Sequence, residues 1–245
     1  MSRIRLDQHL VTLGLAESRS KAKAAIEAGN VSVDGEVAKA ASLKVLEDAN
    51  IQYADAHRWV GRGALKLERA FELWPLDVAG KVAMDVGAST GGFTEVCLDR
   101  GAAKVFAVDV GQGQMHPRVA EDARVVNLEK TDARELTTAE ITKAPGLIVC
   151  DASFISLLKV LPVPLSLAAD GAHLMTLVKP QFEADSPSAI GKKGIVKDAN
   201  AHDAAVTKVR DWLESEGWAV QDVADSPIEG GDGNREFLLW AIKRP

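Results

Sequence analysis

The stretch DVGASTGGF, residues 85–93, decides how the rest of this 245-residue chain is read. It follows the apolar run KVAM and strings together glycines and small polar residues. That pattern predicts a strand, a tight turn and the start of a helix. A P-loop needs G-x-x-x-x-G-K-[ST]. Gly87 and Gly92 hold that frame, but Phe93 stands where the lysine would reach the terminal phosphates. Nucleotide hydrolysis is therefore not expected. The dinucleotide fingerprint G-x-G-x-x-G wants glycine at position 89, where the chain has Ser89. That departure is smaller and leaves a nicotinamide or flavin cofactor open.

S-Adenosylmethionine suits the turn better. It carries no phosphate, so it asks for no lysine. Its methionine end needs close backbone approach, which Gly87, Gly91 and Gly92 permit; Ala88, Ser89, Thr90 and Phe93 complete the turn. The cofactor's positive amino group favours a nearby acid such as Asp85. Its ribose hydroxyls favour a carboxylate at the end of the next strand, where Asp109 closes AKVFAVD. An acid at that place serves a nicotinamide dinucleotide equally well. In KTDAREL, Asp132, with Ala133 beside it, either hydrogen-bonds the adenine amino group or caps the following helical turn.

Outward from this turn, strand-like runs recur at KVAMDVG, AKVFAVDVG, ARVVNL, GLIVCDAS, HLMTLVKP, WAVQDVADSP and EFLLWAIK, with helical patterns between most of them. The alternation predicts a doubly wound, Rossmann-like α/β domain over residues 64–245. The last two runs flank EGGDGN and should form an antiparallel pair. Seven strands with such an ending is the pattern of class I methyltransferases.

The beginning of the chain reads differently. Ile4, Leu6, Leu10 and Leu13 predict one amphipathic helix ended by Gly14, and Ser18 caps a second helix ended by Gly29. NVSVDGEV alternates around Asp34-Gly35, a hairpin signal. Residues 1–58 thus predict a small α+β module, and WVGRG, residues 59–63, a bendable linker. The net charge of −6 argues against an all-over nucleic-acid binder. It is uneven, however: residues 1–58 hold 8 basic and 8 acidic residues, and the first 25 are basic. A local basic face on an acidic protein suits a dedicated RNA-binding module. No run approaches the ~18 apolar residues of a spanning helix, and MSRIRLDQHL lacks the apolar core of a signal peptide. The expected location is the cytoplasm, without a membrane. Cys97 and Cys150 have no metal-type spacing, and no metal is expected.

RLDQHLVTLGLAESRSKAKAAIEAGNVSVDGEV resembles the S-four RNA-binding domain. The resemblance implies that Arg3, Arg5, Arg19, Ser20, Lys21, Lys23 and Asn30 face structured RNA, contacting phosphate and shape more than base sequence. Arg62 in the linker and Lys192 and Lys193 in GKKGIVKD add basic positions. In the larger domain, the sequence after the fourth strand is DASF rather than [ND]-P-P-[YF], which speaks against base amino groups as targets. Cys150 precedes Asp151 and should point to the other face of its strand, which speaks against a cysteine nucleophile.

Lys66 in RGALKLERA, Asp151, Lys179 in LVKPQFE and Glu236 in NREFLLW stand in an order that resembles the FtsJ family of RNA ribose 2′-O-methyltransferases. A ribose hydroxyl must lose a proton as it attacks. A lysine serves as base when its pKa falls from ~10.4 toward ~7–8, which burial and a second lysine both promote. The resemblance implies Lys179 as that base and Lys66 as its cationic neighbour, with Asp151 and Glu236 orienting them. Read singly, Lys66 is a solvated helix residue and Glu236 a surface residue at a strand start. An S-four domain before an FtsJ-like domain, with RGALKLERA, DVGASTGGFT, DASFISL and VKPQFEA, resembles the TlyA family across nearly the whole chain. That implies S-adenosylmethionine-dependent methylation of cytidine 2′-hydroxyls in ribosomal RNA. Its partners are then ribosomal RNA or ribosomal subunits, with no obligate protein partner. Members of that family are also labelled haemolysins, so a membrane-active cytolysin and an RNA-binding protein without activity are the competing readings.

Overall fold

The computed structural model describes residues 3–184, 190–191, 194–230 and 232–245. Lys192 and Lys193 lie outside the described residues. The chain divides into two compact units, Met1–Arg62 and Gly63–Pro245.

The first unit opens with strand β1 (Arg3–Arg5), then helices α1 (Leu6–Thr12) and α2 (Arg19–Glu27). Strands β2 (Val31–Val33), β3 (Glu36–Val37), β4 (Lys44–Leu46) and β5 (Ile51–Tyr53) follow. β1 pairs antiparallel with β4, and β2 lies between β3 and β5. Ser18 caps α2 by accepting a hydrogen bond from the Lys21 amide. Asp34 and Gly35 both take positive φ in the β2–β3 turn, as a tight hairpin requires. Ile4 departs from the sequence expectation. It pairs with Val45 in β1 rather than opening α1, and Leu13 falls just past the helix with half its surface exposed. Leu6 and Leu10 are the apolar residues the short helix buries, so it does not need Ile4. They pack with Ala22, Ala25, Ile26, Val31 and Val45 in a small core. Trp59 and Val60 are buried, and the Arg58 guanidinium lies 4.1 Å from the centre of the Trp59 ring.

The second unit runs α3 (Ala64–Leu73), β6 (Val82–Val86), α4 (Gly92–Asp99), β7 (Lys104–Val108), α5 (Pro117–Ala120), β8 (Val125–Leu128) and a 3-10 turn (Ala133–Glu135). It continues with β9 (Leu147–Cys150), α6 (Leu157–Val160), α7 (Pro162–Ser166), β10 (His173–Val178), α8 (Pro180–Glu183), α9 (Ala199–Ser215), β11 (Trp218–Asp225) and β12 (Phe237–Lys243). All seven runs read from the sequence are strands of one sheet, in the order β11-β12-β10-β9-β6-β7-β8. Neighbours from β10 to β8 are parallel, and β12 is antiparallel to both β10 and β11. The five residues of β6 are all buried. Both faces of the sheet are covered, so its central strands read as continuous apolar runs rather than alternating ones. On one face Met84, Phe106, Ile148 and Leu174 meet Leu161, Leu165, Val209 and Leu213. Sheet order reverses between β6 and β9, and the carboxyl ends of these strands open there into the crevice where such folds hold ligands.

Candidate active site

At that reversal a cavity of about 600 Å³ is lined by Val86 and Gly87 at the end of β6, Val108–Gly111 at the end of β7, Thr131–Arg134 after β8 and Asp151–Ile155 after β9. Gly87 takes φ +84°, and a Cβ there would stand 2.9 Å from the Ala152 Cα. Only glycine lets these two strand ends approach. Ser89 occupies the position where a dinucleotide fingerprint has glycine, and it adopts the matching left-handed conformation with φ +46°. Its amide donates to Asp109 Oδ2 at 2.8 Å, while the Gly111 amide donates to Oδ1 at 2.7 Å. Asp109 thus ties the two turns together, and each oxygen keeps a second lone pair.

The expected cofactor set divides. Gly87, Ser89, Asp109, Asp132 and Ala133 line the cavity; Asp85, Ala88, Thr90, Gly91, Gly92 and Phe93 are not among its lining residues. Phe93 lines a separate apolar cavity together with Leu67, Ala70 and Trp74. Asp132 does cap the 3-10 turn, accepting from the Arg134 amide at 2.9 Å, and its carboxyl is held below the usual range chiefly by the Arg134 side chain. It faces the cavity as well, so capping and ligand contact are compatible.

Asp85 is fully buried behind the turn. Its Oδ2 accepts from Thr94 Oγ1 at 2.6 Å, and Oδ1 has no hydrogen-bond partner among the described residues. Burial pushes its carboxyl up to about 7, reinforced by the negative charge of Asp151 and opposed by the Thr94 hydrogen bond. Cys150 is buried in the core, as its place in the strand implies, and burial pushes its thiol up to about 12.

Beside the cavity, four charged side chains from four segments meet. Lys66 Nζ, on α3, lies 2.6 Å from Glu236 Oε2 and 3.3 Å from Asp151 Oδ2. Lys179 Nζ, just after β10, lies 2.6 Å from Asp151 Oδ1, and it also donates to the Asp151 carbonyl at 3.1 Å and to Ser153 Oγ at 2.8 Å. Lys66, Lys179 and Glu236 are 6%, 5% and 3% exposed, so the readings of Lys66 and Glu236 as solvated surface residues do not hold. Two cations and two carboxylates balance, which is the condition for keeping charges out of water. Removing one partner strands another charge and costs about 3–5 kcal/mol. Gly230 makes room for the fourth member, since a Cβ there would stand 2.5 Å from Glu236 Oε1.

Sequence reasoning missed the residues that hold this network in place. Glu183, almost fully buried, accepts from Ser156 Oγ at 2.6 Å and from the Leu157 amide at 2.7 Å, pinning the loop after β9 to α8. Asn234, also buried, accepts from the Val196 amide and donates to the Gly194 carbonyl, both at 3.0 Å. Between Asp151 and Ser156, Phe154 is left standing out. It takes φ +66°, is 88% exposed, and its ring tilts against Phe182 at 5.4 Å. A bulky residue in that backbone region is strained and makes Phe154 a candidate functional position.

In the first unit, Arg3, Arg5, Arg19, Ser20 and Lys23 are exposed and Lys21 half-buried, and Arg62 is exposed at its end. Lys23 pairs with Glu27 at 3.6 Å, and the Asn30 side chain donates to the Asp55 carbonyl at 3.0 Å, which ties it to the module's own backbone.

The raised carboxyl of Asp85 has a measurable sign. The unfolded chain releases this proton near pH ~4, whereas the folded protein keeps it until about 7. Its contribution to stability is therefore full below pH ~4 and is lost as pH rises through about 7. Urea unfolding of the wild type and Asp85→Asn between pH 4 and pH 8 should show the wild type losing stability relative to the variant. A constant difference across that range would contradict the buried, proton-binding state.

Comparison with known proteins agrees with this architecture. Residues 59–243 match the FtsJ-like methyltransferase family, and residues 4–51 match the S4 domain. A Mycobacterium tuberculosis protein named 16S/23S rRNA (cytidine-2′-O)-methyltransferase TlyA is 44% identical over 97% of this chain and 89% of its own length. Hemolysin A of Brachyspira hyodysenteriae is 36% identical over 98% of this chain and 100% of its own. A solved Streptococcus thermophilus chain, provisionally described as a hemolysin, aligns with a TM-score of 0.78 at 37% identity, covering 100% of this chain and 90% of that one. From the glycine turn and its sheet to the module at the amino end, the chain belongs to the FtsJ-like methyltransferase family, in the S4-bearing group that includes TlyA.

Proposed function

We propose that this protein methylates the 2′-hydroxyl of a ribose, that of a cytidine, in ribosomal RNA, using S-adenosylmethionine. The observation that carries the reading is the buried meeting of Lys66, Asp151, Lys179 and Glu236 beside the cavity. The relative of M. tuberculosis is named for this reaction on both ribosomal RNAs, and a Campylobacter jejuni relative, 34% identical over 92% of this chain, for the reaction on 23S rRNA. The S4 module and the sequence context suit RNA as the partner and the cytoplasm as the place.

The residues present fit the cofactor. The cavity has the size of a small-molecule site. Gly87 gives close backbone approach, Asp109 offers carboxylate lone pairs to ribose hydroxyls, and Asp132 faces the same space. Asp85, buried behind the turn with one unpartnered oxygen, is the acid that would hold the amino end. When bound, S-adenosylmethionine supplies a methyl group on a positively charged sulfur, an electrophile that needs no metal.

The chain's own part is to bring a hydroxyl into line and remove its proton. Lys179 in its neutral form accepts that proton at Nζ. The ammonium so formed already has three acceptors around it: Asp151 Oδ1, the Asp151 carbonyl and Ser153 Oγ. Charge develops where preorganised dipoles wait for it, so little rearrangement accompanies the transfer. Lys66 competes with Lys179 for the Asp151 carboxylate, and Glu236 holds Lys66 in that position. Phe154 and Phe182 offer an aromatic surface at the mouth, on which the base of the target nucleotide stacks.

The name of the Brachyspira relative raises membrane activity. Among the described residues no helix is long and apolar enough to cross a membrane, and no observation favours that reading here.

The reaction is tested by incubating the protein with methyl-labelled S-adenosylmethionine and separated, unmodified ribosomal subunits, then digesting the RNA. Labelled 2′-O-methylcytidine is the expected product; a methylated base would refute the mechanism while leaving the fold intact. Phe154→Ala should weaken RNA use about 5- to 150-fold in KM, the worth of one stacked base, with cofactor affinity unchanged. An unaltered KM for RNA would remove Phe154 from the substrate surface.

A further inference from the structure

A buried acid sits among the basic residues of the first unit. Asp7, in the first turn of α1, is 4% exposed. Nε and Nη2 of Arg5 donate to its Oδ1 and Oδ2 at 3.0 and 3.1 Å. Nε and Nη2 of Arg19 both reach Oδ2, at 3.2 and 2.7 Å. The Gln8 amide completes the set with a 3.0 Å bond to Oδ1. Arg5 ends β1 and Arg19 opens α2, so a single carboxylate fixes guanidiniums from two separate elements. The arginine side chains remain 44% and 61% exposed while that of Asp7 is 6% exposed. The arginines, chiefly Arg5 through its hydrogen bonds, hold the Asp7 carboxyl down at about 2, so it stays ionised through the neutral range.

A guanidinium carries five N–H groups in a planar fork. Two on each arginine are directed to Asp7, which leaves three on each for a ligand. A lysine could not be held in this way, because its ammonium has no second edge to present. Arg5 and Arg19 are also two of the residues through which the module is read as meeting RNA.

We propose that Asp7 is a positioning residue for RNA binding: it holds Arg5 and Arg19 as a preset pair whose outward N–H groups take phosphate oxygens of one structured RNA segment. This inference rests on reading the first unit as the RNA-binding module. Pre-ordering lowers the cost of immobilising two long side chains when the complex forms. It also sets the spacing between two phosphate contacts, which recognition of shape requires.

Charge alone predicts the opposite sign. Replacing Asp7 by Asn removes a negative charge from an RNA-facing module, which by Coulomb attraction should tighten binding. The preset pair predicts weaker binding despite the gain in positive charge.

The test is filter binding of the full-length protein to protein-free ribosomal RNA over a salt series. It uses the wild type, Asp7→Asn, the double variant Arg5→Gln/Arg19→Gln, and all three changes together. Asp7→Asn should weaken binding about 10-fold, what one charged hydrogen bond is worth, and should flatten the salt dependence toward that of the double variant. Added to the double variant, it should cost nothing further. Equal losses in both backgrounds would mean a merely structural role and overturn the proposal. Unchanged or tighter binding by Asp7→Asn, with weaker binding by the double variant, would overturn the pair while leaving the RNA face intact. Undiminished binding by the double variant would sink the RNA face itself and the pair with it. If Asp7→Asn does not fold, Arg5→Lys/Arg19→Lys keeps both charges without the fork, and the same 10-fold loss is expected; wild-type affinity would overturn the proposal.

Discussion

One carboxylate shared by two lysines is the constraint on which the site depends. Asp151 lies 2.6 Å from Lys179 and 3.3 Å from Lys66, and Lys66 is held from its other side by Glu236. Each member comes from a different segment: α3, the end of β9, the end of β10 and the approach to β12. None of the lysines or Glu236 is accessible enough for water to compensate it. The charges are therefore tolerable only when the four segments are assembled, and the sheet order is what assembles them. Buried ion pairs of this kind add little to stability compared with apolar packing. Their presence in the crevice at the strand ends is an argument for chemistry rather than for folding.

The glycine turn and the charged network are mechanically joined. Gly87 lets the end of β6 touch the chain next to Asp151, so the glycine turn and the carboxylate that organises the lysines share one backbone contact. Asp109 fixes the turn from β7, and Glu183 fixes the loop after Asp151 from α8. The cavity and the charged side chains beside it are thus held at one spacing by carboxylates that accept from main-chain amides. A transfer reaction needs that kind of rigidity, because small displacements of the reacting groups are costly.

Much of this was legible in the sequence, for identifiable reasons. The strands of the large sheet stand out because both faces are buried, so each reads as an unbroken apolar run. The glycine turn stands out because only particular residues tolerate its backbone. Lys66 and Glu236 did not stand out alone: a buried lysine on an amphipathic helix has the same local pattern as a solvated one, and only the order of all four residues carried the signal. Asn234 was missed because its partners are backbone groups, and Glu183 because its partners, Ser156 and the Leu157 amide, lie far from it in the chain; neither kind of contact leaves a mark on sequence. Asp7 was missed because an acid beside an arginine in RLDQHL reads as ordinary surface charge until the fold brings Arg19 against it. Ile4 was assigned to a helix because its spacing fits both periods over so short a segment; pairing with Val45 decided the matter.

The most direct measurement is a single-turnover methyl transfer from pre-bound, methyl-labelled cofactor to ribosomal RNA, comparing the wild type with Lys179→Met. Methionine keeps most of the apolar stem and removes the group that takes the proton. The account predicts cofactor affinity within about two-fold of wild type and a transfer rate lower by about 10²–10⁴. Transfer at near the wild-type rate, with cofactor bound, would contradict it, since the Asp151-centred network would then be a structural feature beside a reaction driven by other groups.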